Sequence, residues 1–287
     1  MTSFDALAKT LGRDVGGLGR PGALGVLVRA VKSSQRESRD HFAVVAGEVR
    51  RRPRCPLGRS ARGFTVQRHR QTRADCRYDP GGETGLILLL GDYVIHRVVG
   101  GKFIAPEKIA RSLSRLSAPA GVFAVLGNHD RWYFAKQIEN AITGAGISVL
   151  EDAAVSVRSR QCEFWLVGLS DFLTGPRDYR AVLAKLPLHE PALAFTHNPD
   201  LFPVVPGNVD LIFAGHTHGG QVYFPGIGRL IVPSRYGQRY AIGHIVENGR
   251  HLFVSPGLGT SILPVRFLVP PEVSVVTIRS ASSGRPS

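Results

Sequence analysis

The sequence Gly215-His216-Thr217-His218-Gly219-Gly220-Gln221 stands at the end of the apolar run 209–214. A strand that stops at a glycine and then presents two histidines one residue apart is typical of a metal site. In extended backbone, residues i and i+2 point to the same side, so both imidazoles can face one cluster. The glycines allow a tight turn beside that cluster. The alternative interpretation is a polar loop with two chance histidines.

Three further apolar runs end in side chains of the same chemical kind. They are Leu86–Leu90 before Gly91-Asp92, Val122–Leu126 before Gly127-Asn128-His129-Asp130, and Leu193–Thr196 before His197. Open α/β sheets place their sites at such strand ends. Taken singly, Asp92 fits a turn, Asp130 a helix cap and His197 a structural histidine. Together the four strand ends predict a centre of mixed nitrogen and oxygen ligands, which suits Mn, Fe or Zn.

The pattern of residues 86–279 predicts an α/β domain with mixed sheets. Apolar strand runs alternate with helical patterns near 106–116, 132–143 and 179–186, and hairpin-like segments follow. Residues 280–287 are predicted to be a frayed tail. The three cysteines have no metal or disulfide spacing, and no apolar run approaches the ~18 residues of a membrane span. We therefore predict a cytoplasmic protein.

Residues 1–85 have a different composition from the rest of the chain. They contain 17 Lys+Arg and 8 Asp+Glu, which gives +9 of the net charge of +14. No helical or strand period is clear in them, and we predict an irregular, poorly ordered region. A basic arm of this kind suits nucleic acid or an anionic membrane, or it has no partner. We predict no specific nucleic-acid partner.

The ordered motifs resemble the signature of the calcineurin-like metallophosphoesterases. The residues that carry the resemblance are Gly91-Asp92, Gly127-Asn128-His129-Asp130, His197 and Gly215-His216-Thr217-His218, within a match of roughly residues 86–270. The resemblance implies a four-layer αββα sandwich of two mixed β-sheets flanked by helices. It also implies two divalent cations (Mn, Fe, Zn or Mg) and hydrolysis of a phosphodiester or pyrophosphate.

The resemblance assigns a role to each matching residue. Asp92 is the bridging ligand, Asn128, His197 and His216 complete one metal site, and His218 serves the other. His129 is the general acid near the leaving group, oriented by Asp130. Residues 216–221, together with 257–261 and 264–267, are similar to a bacterial branch. Some of its members are membrane-associated, and some cleave a UDP-linked acylated sugar. The implied partners are a phosphoester or nucleotide-sugar-lipid substrate and a peripheral contact at the inner membrane.

The chain departs from the family at its first motif. The family opens with Asp-x-His, which supplies two ligands of the first metal site, and no such motif precedes Asp92; Asp40-His41 are adjacent and do not match. Read one nucleotide forward, codons allowed for residues 58–66 can spell Ala-Asp-Leu-His-Ala-Gly-Ser-Pro, and two later stretches also turn family-like. Our hypothesis is that part of residues 1–85 is translated out of frame, which the nucleotide sequence of the gene tests.

The missing motif has two predicted consequences. Without that first strand, the sheet loses a central member and its neighbours lose ladder partners. Without two ligands, the first metal site is incomplete and activity falls far below that of an intact relative. The leading prediction is a metal-dependent phosphoesterase with impaired activity. The alternative is a catalytically inactive binding protein that uses its basic region for nucleic acid or anionic lipid.

Overall fold

The computed structural model describes residues 26–32, 44–49, 66–68, 85–94, 99, 103–159, 162–176, 178–188 and 190–278, the first three segments by their backbone alone. These residues form fifteen strands and three α-helices. The strands are β1 Val26–Lys32, β2 Val44–Val49, β3 Val66–Arg68, β4 Leu86–Leu89, β5 Val122–Ala124, β6 Ser148–Val149, β7 Ala153–Ser159, β8 Cys162–Leu169, β9 Ala192–Thr196, β10 Leu211–Ala214, β11 Tyr223–Phe224, β12 Gly228–Arg229, β13 Gly243–Glu247, β14 Arg250–Val254 and β15 Glu272–Ile278. The helices are α1 Pro106–Leu113, α2 Asn128–Gly144 and α3 Tyr179–Ala184.

Two large mixed sheets organise the chain. The seven-stranded sheet has the order β3-β1-β15-β2-β4-β5-β6, the six-stranded sheet has the order β13-β14-β10-β9-β8-β7, and β11 and β12 form a separate hairpin. Strands β4, β5 and β6 run parallel to one another, as do β8, β9, β10 and β14. The predicted α/β class with mixed sheets is confirmed. Among the described residues, no helix is long and apolar enough to span a membrane.

The side chains of the central strands alternate between hydrophobic clusters, because successive residues of a strand point to opposite faces. Leu89 packs in a cluster with residues of α1 and α2, whereas Leu88 packs with residues of β8, β9 and β10. Leu166 of β8 belongs to the second cluster and Val167 to a third, which contains residues of α3. The two sheets therefore face each other, with helices packed on their outer sides. This is the packing that an αββα arrangement requires.

The predicted helix at residues 132–143 begins earlier in the structure. Helix α2 starts at Asn128, with Gly127 as its extended N-cap residue, and has non-helical backbone at Phe134. The polar motif of residues 128–130 therefore forms the first helical turn, where backbone N–H groups lack intrahelical acceptors. These donors become part of the site described below.

One strand from the region 1–85, β2, pairs with the edge of β4 that was predicted to lose its partner. Strand β2 lies between β15 and β4, antiparallel to β4, with Val44 opposite Leu89 and Gly47 opposite Leu86. The prediction that neighbouring strands lose their ladder partners is therefore wrong, because this segment supplies the missing backbone donors and acceptors. Asp40-His41, most of the stretch 58–66 that bears on the reading-frame hypothesis, and the tail 280–287 lie outside the described residues.

Candidate metal centre

Polar side chains meet where four strands end, two strands in each large sheet. Asp92 follows β4 and Asn128 follows β5, both of the seven-stranded sheet; His197 follows β9 and His216 follows β10, both of the six-stranded sheet. Each pair of strands is parallel, so their carboxyl ends lie at the same edge of the sheet. Because the sheets pack face to face, the two edges bring four predicted ligands together.

Two glycines allow the turns after β4 and β5 to approach each other. Gly91 has a φ of +88°, and a Cβ there would lie 2.4 Å from the backbone nitrogen of Gly127. A Cβ on Gly127 would lie 2.1 Å from Oδ1 of Asp92. Real Cβ atoms do not approach other atoms this closely. The positive φ of Gly91 is in addition strained for residues other than glycine. The Gly-Asp and Gly-Asn pairs are therefore a requirement of backbone packing.

The donor atoms of these four residues converge on Nε2 of His197. Oδ1 of Asn128 and Nδ1 of His216 each lie 3.0 Å from it, and Oδ2 of Asp92 lies 3.3 Å from it. One ligand atom from each of Asp92, His197 and His216 falls within 4.8 Å of the others. Asp92, Asn128 and His197 are almost completely buried, and His216 is half-buried. Two nitrogens and two oxygens thus surround one point.

The tautomer of His197 is fixed by a backbone carbonyl. Nδ1 of His197 lies 2.7 Å from the carbonyl oxygen of Leu90, which can only accept a hydrogen bond. Nδ1 therefore carries a hydrogen, and once Nε2 loses its proton the lone pair of Nε2 faces the other three ligand atoms. A metal-binding histidine commonly donates its second nitrogen to a carbonyl in this way. The donor set fits a divalent cation with mixed nitrogen and oxygen preference.

The charges of the cluster are strongly coupled. Burial opposes the charged form of His197, but the adjacent Asp92 carboxylate raises the pKa of His197 to about 9. Burial, together with the charge on His197, lowers the pKa of His216 to about 4. Burial would raise the pKa of Asp92, but the attraction of His197 outweighs it and holds that pKa below its ordinary value. At neutral pH the cluster thus pairs a positively charged His197 with the Asp92 carboxylate, and His216 is neutral.

The side chain of Asp130 links the turn after β4 to the turn after β5. Its Oδ2 accepts from the backbone N–H of Gly127 at 2.8 Å and of Asp92 at 2.7 Å. Its Oδ1 accepts from the N–H groups of Tyr93 at 2.8 Å and Val94 at 3.2 Å. Burial and the nearby Asp92 carboxylate raise the pKa of Asp130 to about 7, although these bonds favour the ionised form. Asp130 thus contacts the backbone of residues 92–94 after β4 and of Gly127 after β5.

His129 and His218 lie beside the cluster. The backbone N–H of His129 donates to Oδ1 of Asp92 at 2.9 Å, and its half-buried ring packs edge-on against Trp132 with centroids 5.0 Å apart. His218 is buried on the turn after β10, at a φ of +51°, and is not a member of the cluster that Asp92, His197 and His216 form among the described residues. The structure therefore brings four of the seven predicted residues to one point, with His129 and Asp130 against them.

Two residues near the site, one buried and one half-buried, carried little or no signal in the sequence. Asp171 accepts from Leu173 and Thr174 through Oδ2, while its Oδ1 is buried with no hydrogen-bond partner in the described part of the chain. Its charge acts on both His197 and His216. The other residue is Arg266, whose guanidinium donates to backbone carbonyls around the His218 turn.

The family comparison agrees with these motifs. The description "Calcineurin-like phosphoesterase" matches residues 76–220, about half of the chain. The chain belongs to the calcineurin-like phosphoesterase family. All the predicted ligands of this family, from Asp92 to His218, lie within that match. Membership supports placing the chain among hydrolases that act on phosphoric ester bonds.

Three relatives illustrate the range of names within the calcineurin-like phosphoesterases. Phosphodiesterase YaeI of Escherichia coli is 34% identical over 67% of this chain and 70% of its own length. The uncharacterised metallophosphoesterase YkuE of Bacillus subtilis is 31% identical over 59% of this chain and 60% of its own length. UDP-2,3-diacylglucosamine pyrophosphatase LpxG of Chlamydia trachomatis is 26% identical over 67% of this chain and 73% of its own length. This chain thus spans less than two thirds of YkuE.

Proposed function

We propose that this protein is a metal-dependent phosphoesterase whose divalent cation is held by Asp92, Asn128, His197 and His216. The observation that carries the proposal is the convergence of four donor atoms from four strand ends on one point, with Nε2 of His197 directed at the other three. A purely structural cluster of this kind would leave three acceptors competing for one ring hydrogen. A cation satisfies all four lone pairs together.

The bound cation would polarise a phosphoryl oxygen and lower the pKa of water. The chain's own groups supply the rest. His129 stands next to the ligand Asn128 and is half-buried, so its ring is within reach of a substrate that occupies the site. We assign it the protonation of the leaving oxygen. Asp130 holds the backbone of residues 92–94 and 127, which fixes the positions of Asp92 and of the helix turn that carries His129.

A dinuclear centre and an impaired activity are the finer parts of the proposal. A second site would use Asp92 as the bridging ligand together with His218. Its remaining family ligands correspond to the Asp-x-His motif that is missing before Asp92. We therefore propose that the second cation is held weakly and that turnover lies far below that of relatives with the complete motif. Manganese is the cation proposed for assays.

The substrate proposal rests on the relatives. A phosphodiesterase and a pyrophosphatase of an acylated nucleotide sugar are among them. We propose a phosphodiester or pyrophosphate substrate, with a lipid-linked nucleotide sugar as the amphiphilic form, in a cytoplasmic protein with peripheral contact at the inner membrane. The alternative, an inactive binding protein, is favoured by the charge of +9 carried by residues 1–85. Salt-dependent nucleic-acid binding without hydrolysis would support that alternative.

The test measures cation content per chain and manganese-stimulated hydrolysis of a soluble aryl phosphodiester. We expect His197→Ala to abolish tight cation binding together with hydrolysis. His129→Ala should keep the cation and lose about 10²–10⁴-fold in kcat, the range for a removed acid or base. His251→Ala, which removes a buried histidine of β14 outside the ligand set, is the matched control and should change neither quantity. Unchanged cation binding in His197→Ala would contradict the proposed centre.

A further inference from the structure

A tryptophan with most of its surface in solvent stands beside the proposed acid of the metal centre. Trp132 is 60% exposed and lies in the first turns of α2, three residues after His129. Residues three apart share one face of a helix, so the two side chains are neighbours. Tryptophan is highly buried on average in folded proteins. Packing within this chain therefore does not account for the position of this indole.

The direction of helical side chains places the indole over His129. A side chain on a helix leans toward the N-terminus and covers the turn that precedes its own Cα. The rings of Trp132 and His129 accordingly lie 5.0 Å apart, at an interplanar angle of 64°. Such an edge-on contact uses only part of the indole and leaves the rest accessible. His129 is itself tied to the centre, because its backbone N–H donates to Oδ1 of Asp92 at 2.9 Å.

A second exposed ring on the same helix makes different contacts. Phe134 is 66% exposed, and its ring lies 5.2 Å from that of Tyr133, which lies 5.1 Å from that of Phe103. The backbone of α2 is non-helical at Phe134, which separates the turn that carries His129 from the rest of the helix. Trp132, rather than Phe134, is thus the exposed ring that lies over the proposed acid.

We propose that Trp132 is a substrate-binding residue that stacks with a planar aromatic ring, such as a nucleobase, on the side of the leaving oxygen. The inference rests on the proposed role of His129, because the oxygen that His129 protonates carries the leaving group. A group attached to that oxygen passes over the indole that covers His129. Aromatic rings of any kind stack on an indole face, and such stacking contributes strongly to the binding of bases.

A rigid ring suits this position better than a flexible aliphatic chain. One indole covers a single ring system, whereas it covers only a short length of an alkyl chain. Ordering that chain costs conformational entropy, which a planar ring has already lost. The site should therefore favour phosphoesters that carry a nucleoside or an aryl group over those whose substituents are purely aliphatic.

The experiment compares adenosine monophosphate (AMP) with ribose phosphate, which has the same sugar and phosphate but no base. Both are titrated with manganese into the full chain carrying Trp165→Phe, which leaves Trp132 as its single tryptophan. AMP should quench the fluorescence of Trp132, and ribose phosphate should bind without quenching it. By calorimetry the affinity for AMP should be about 10-fold higher or more, as one stacked base contributes.

Variants at position 132 separate stacking from a structural role. Trp132→Leu keeps an apolar side chain but removes the aromatic face, so AMP affinity should fall about 10-fold while ribose phosphate affinity and cation content stay unchanged. Trp132→Phe keeps a smaller aromatic face and should recover part of the loss. Phe134→Leu, which removes a similarly exposed ring that packs on Tyr133, is the matched control and should bind AMP as the wild type does.

Two results would overturn the role of Trp132. One is the absence of quenching by AMP in the Trp165→Phe chain. The other is AMP affinity that Trp132→Leu retains in full, or loses only as much as Phe134→Leu does, since an equal loss would indicate a distorted helix turn. Failure of the proposed enzyme gives a different pattern. Quenching and the preference for AMP would then persist, whereas manganese would not bind and a soluble aryl phosphodiester would not be hydrolysed.

Discussion

Replacement of Arg266 offers a sharp test of how the turn at His218 is held. The half-buried guanidinium donates to the backbone carbonyls of five residues: Pro256, Gly257, Gly259, His218 and Val269. Burial lowers the pKa of Arg266 to about 10, so the group is charged at neutral pH. Because these carbonyls come from three separate stretches of chain, the side chain ties the end of β10 to the loops that follow β14. Arg266→Ala leaves those oxygens without their donor.

The magnitude follows from the lengths of the bonds. The bonds to Pro256 at 2.7 Å and Gly259 at 2.8 Å are short, whereas those to His218, Val269 and Gly257 are between 3.2 and 3.3 Å. A hydrogen bond to a charged group contributes about 1.5–3 kcal/mol, so the two short bonds alone give about 3–6 kcal/mol. For a chain of this size the melting temperature should fall by about 10 °C. Arg266→Lys keeps the charge but not the planar fork, and should recover about half of the loss.

The assay is urea unfolding combined with cation titration of each folded variant. Arg250→Ala is the matched control, because Arg250 also donates to two carbonyls, those of Phe202 and Val205, but stands at the start of β14, far from the strand ends that carry the ligands. Both alanine variants should lose stability, whereas Arg266→Ala alone should weaken cation binding. If Arg266→Ala unfolds within about 1 kcal/mol of the wild type, the guanidinium does not hold this turn, since neutral surface substitutions fall in that range.

Three further predictions concern the same region. Gly127→Ala should abolish cation binding in a cation titration, because its Cβ would lie 2.1 Å from Oδ1 of Asp92. Gly207→Ala is the control: there is open space around the added atom, so it should bind the cation as the wild type does. Asp130→Asn should cost about 2–4 kcal/mol in urea unfolding, because the amide NH₂ faces backbone N–H groups that now donate to a carboxylate; equal midpoints would contradict this. Burial raises the pKa of Glu151 from 4.5 to about 7, although the charge of Arg131 opposes this shift. The protonated form of Glu151 therefore stabilises the fold below pH 4.5. That contribution is lost as the pH rises through 7. Relative to Glu151→Gln, the wild type should therefore lose about 3 kcal/mol between pH 4 and pH 8, and a pH-independent difference would disprove the assignment.

The strand ends of the site were predictable because the sequence pattern is local. Each ligand follows a short apolar run within one or two residues, and parallel strands bring such positions to one edge. The same logic gave the approximate bounds of β4, β5, β9 and β10. The start of α2 was placed four residues late, because Asn128, His129 and Asp130 were interpreted as loop residues before the helix. In the structure they are its first turn.

The contacts that complete the site could not be predicted, because they involve backbone groups far apart in the chain. The carbonyl of Leu90 fixes the tautomer of His197 from 107 positions away, and a carbonyl has no residue-type signal. A single arginine in an apolar loop gave no indication that Arg266 turns inward onto five carbonyls. Strand β2 was missed because its partners, β4 and β15, are separated from it by about 40 and 230 residues, and its own composition is weakly patterned.

The division of the ligands between the two sheets has a consequence for how the protein is assembled. Asp92 and Asn128 come from one sheet, His197 and His216 from the other, and neither pair alone can satisfy a cation. A chain in which only one of the two sheets has formed is therefore inert, and reactivity begins when the two sheets close over each other. A cation held by the proposed ligands would link the two sheets to each other. Chelation should weaken the packing between the two sheets before either sheet unfolds. Unfolding of this molecule should therefore begin at the interface between the sheets.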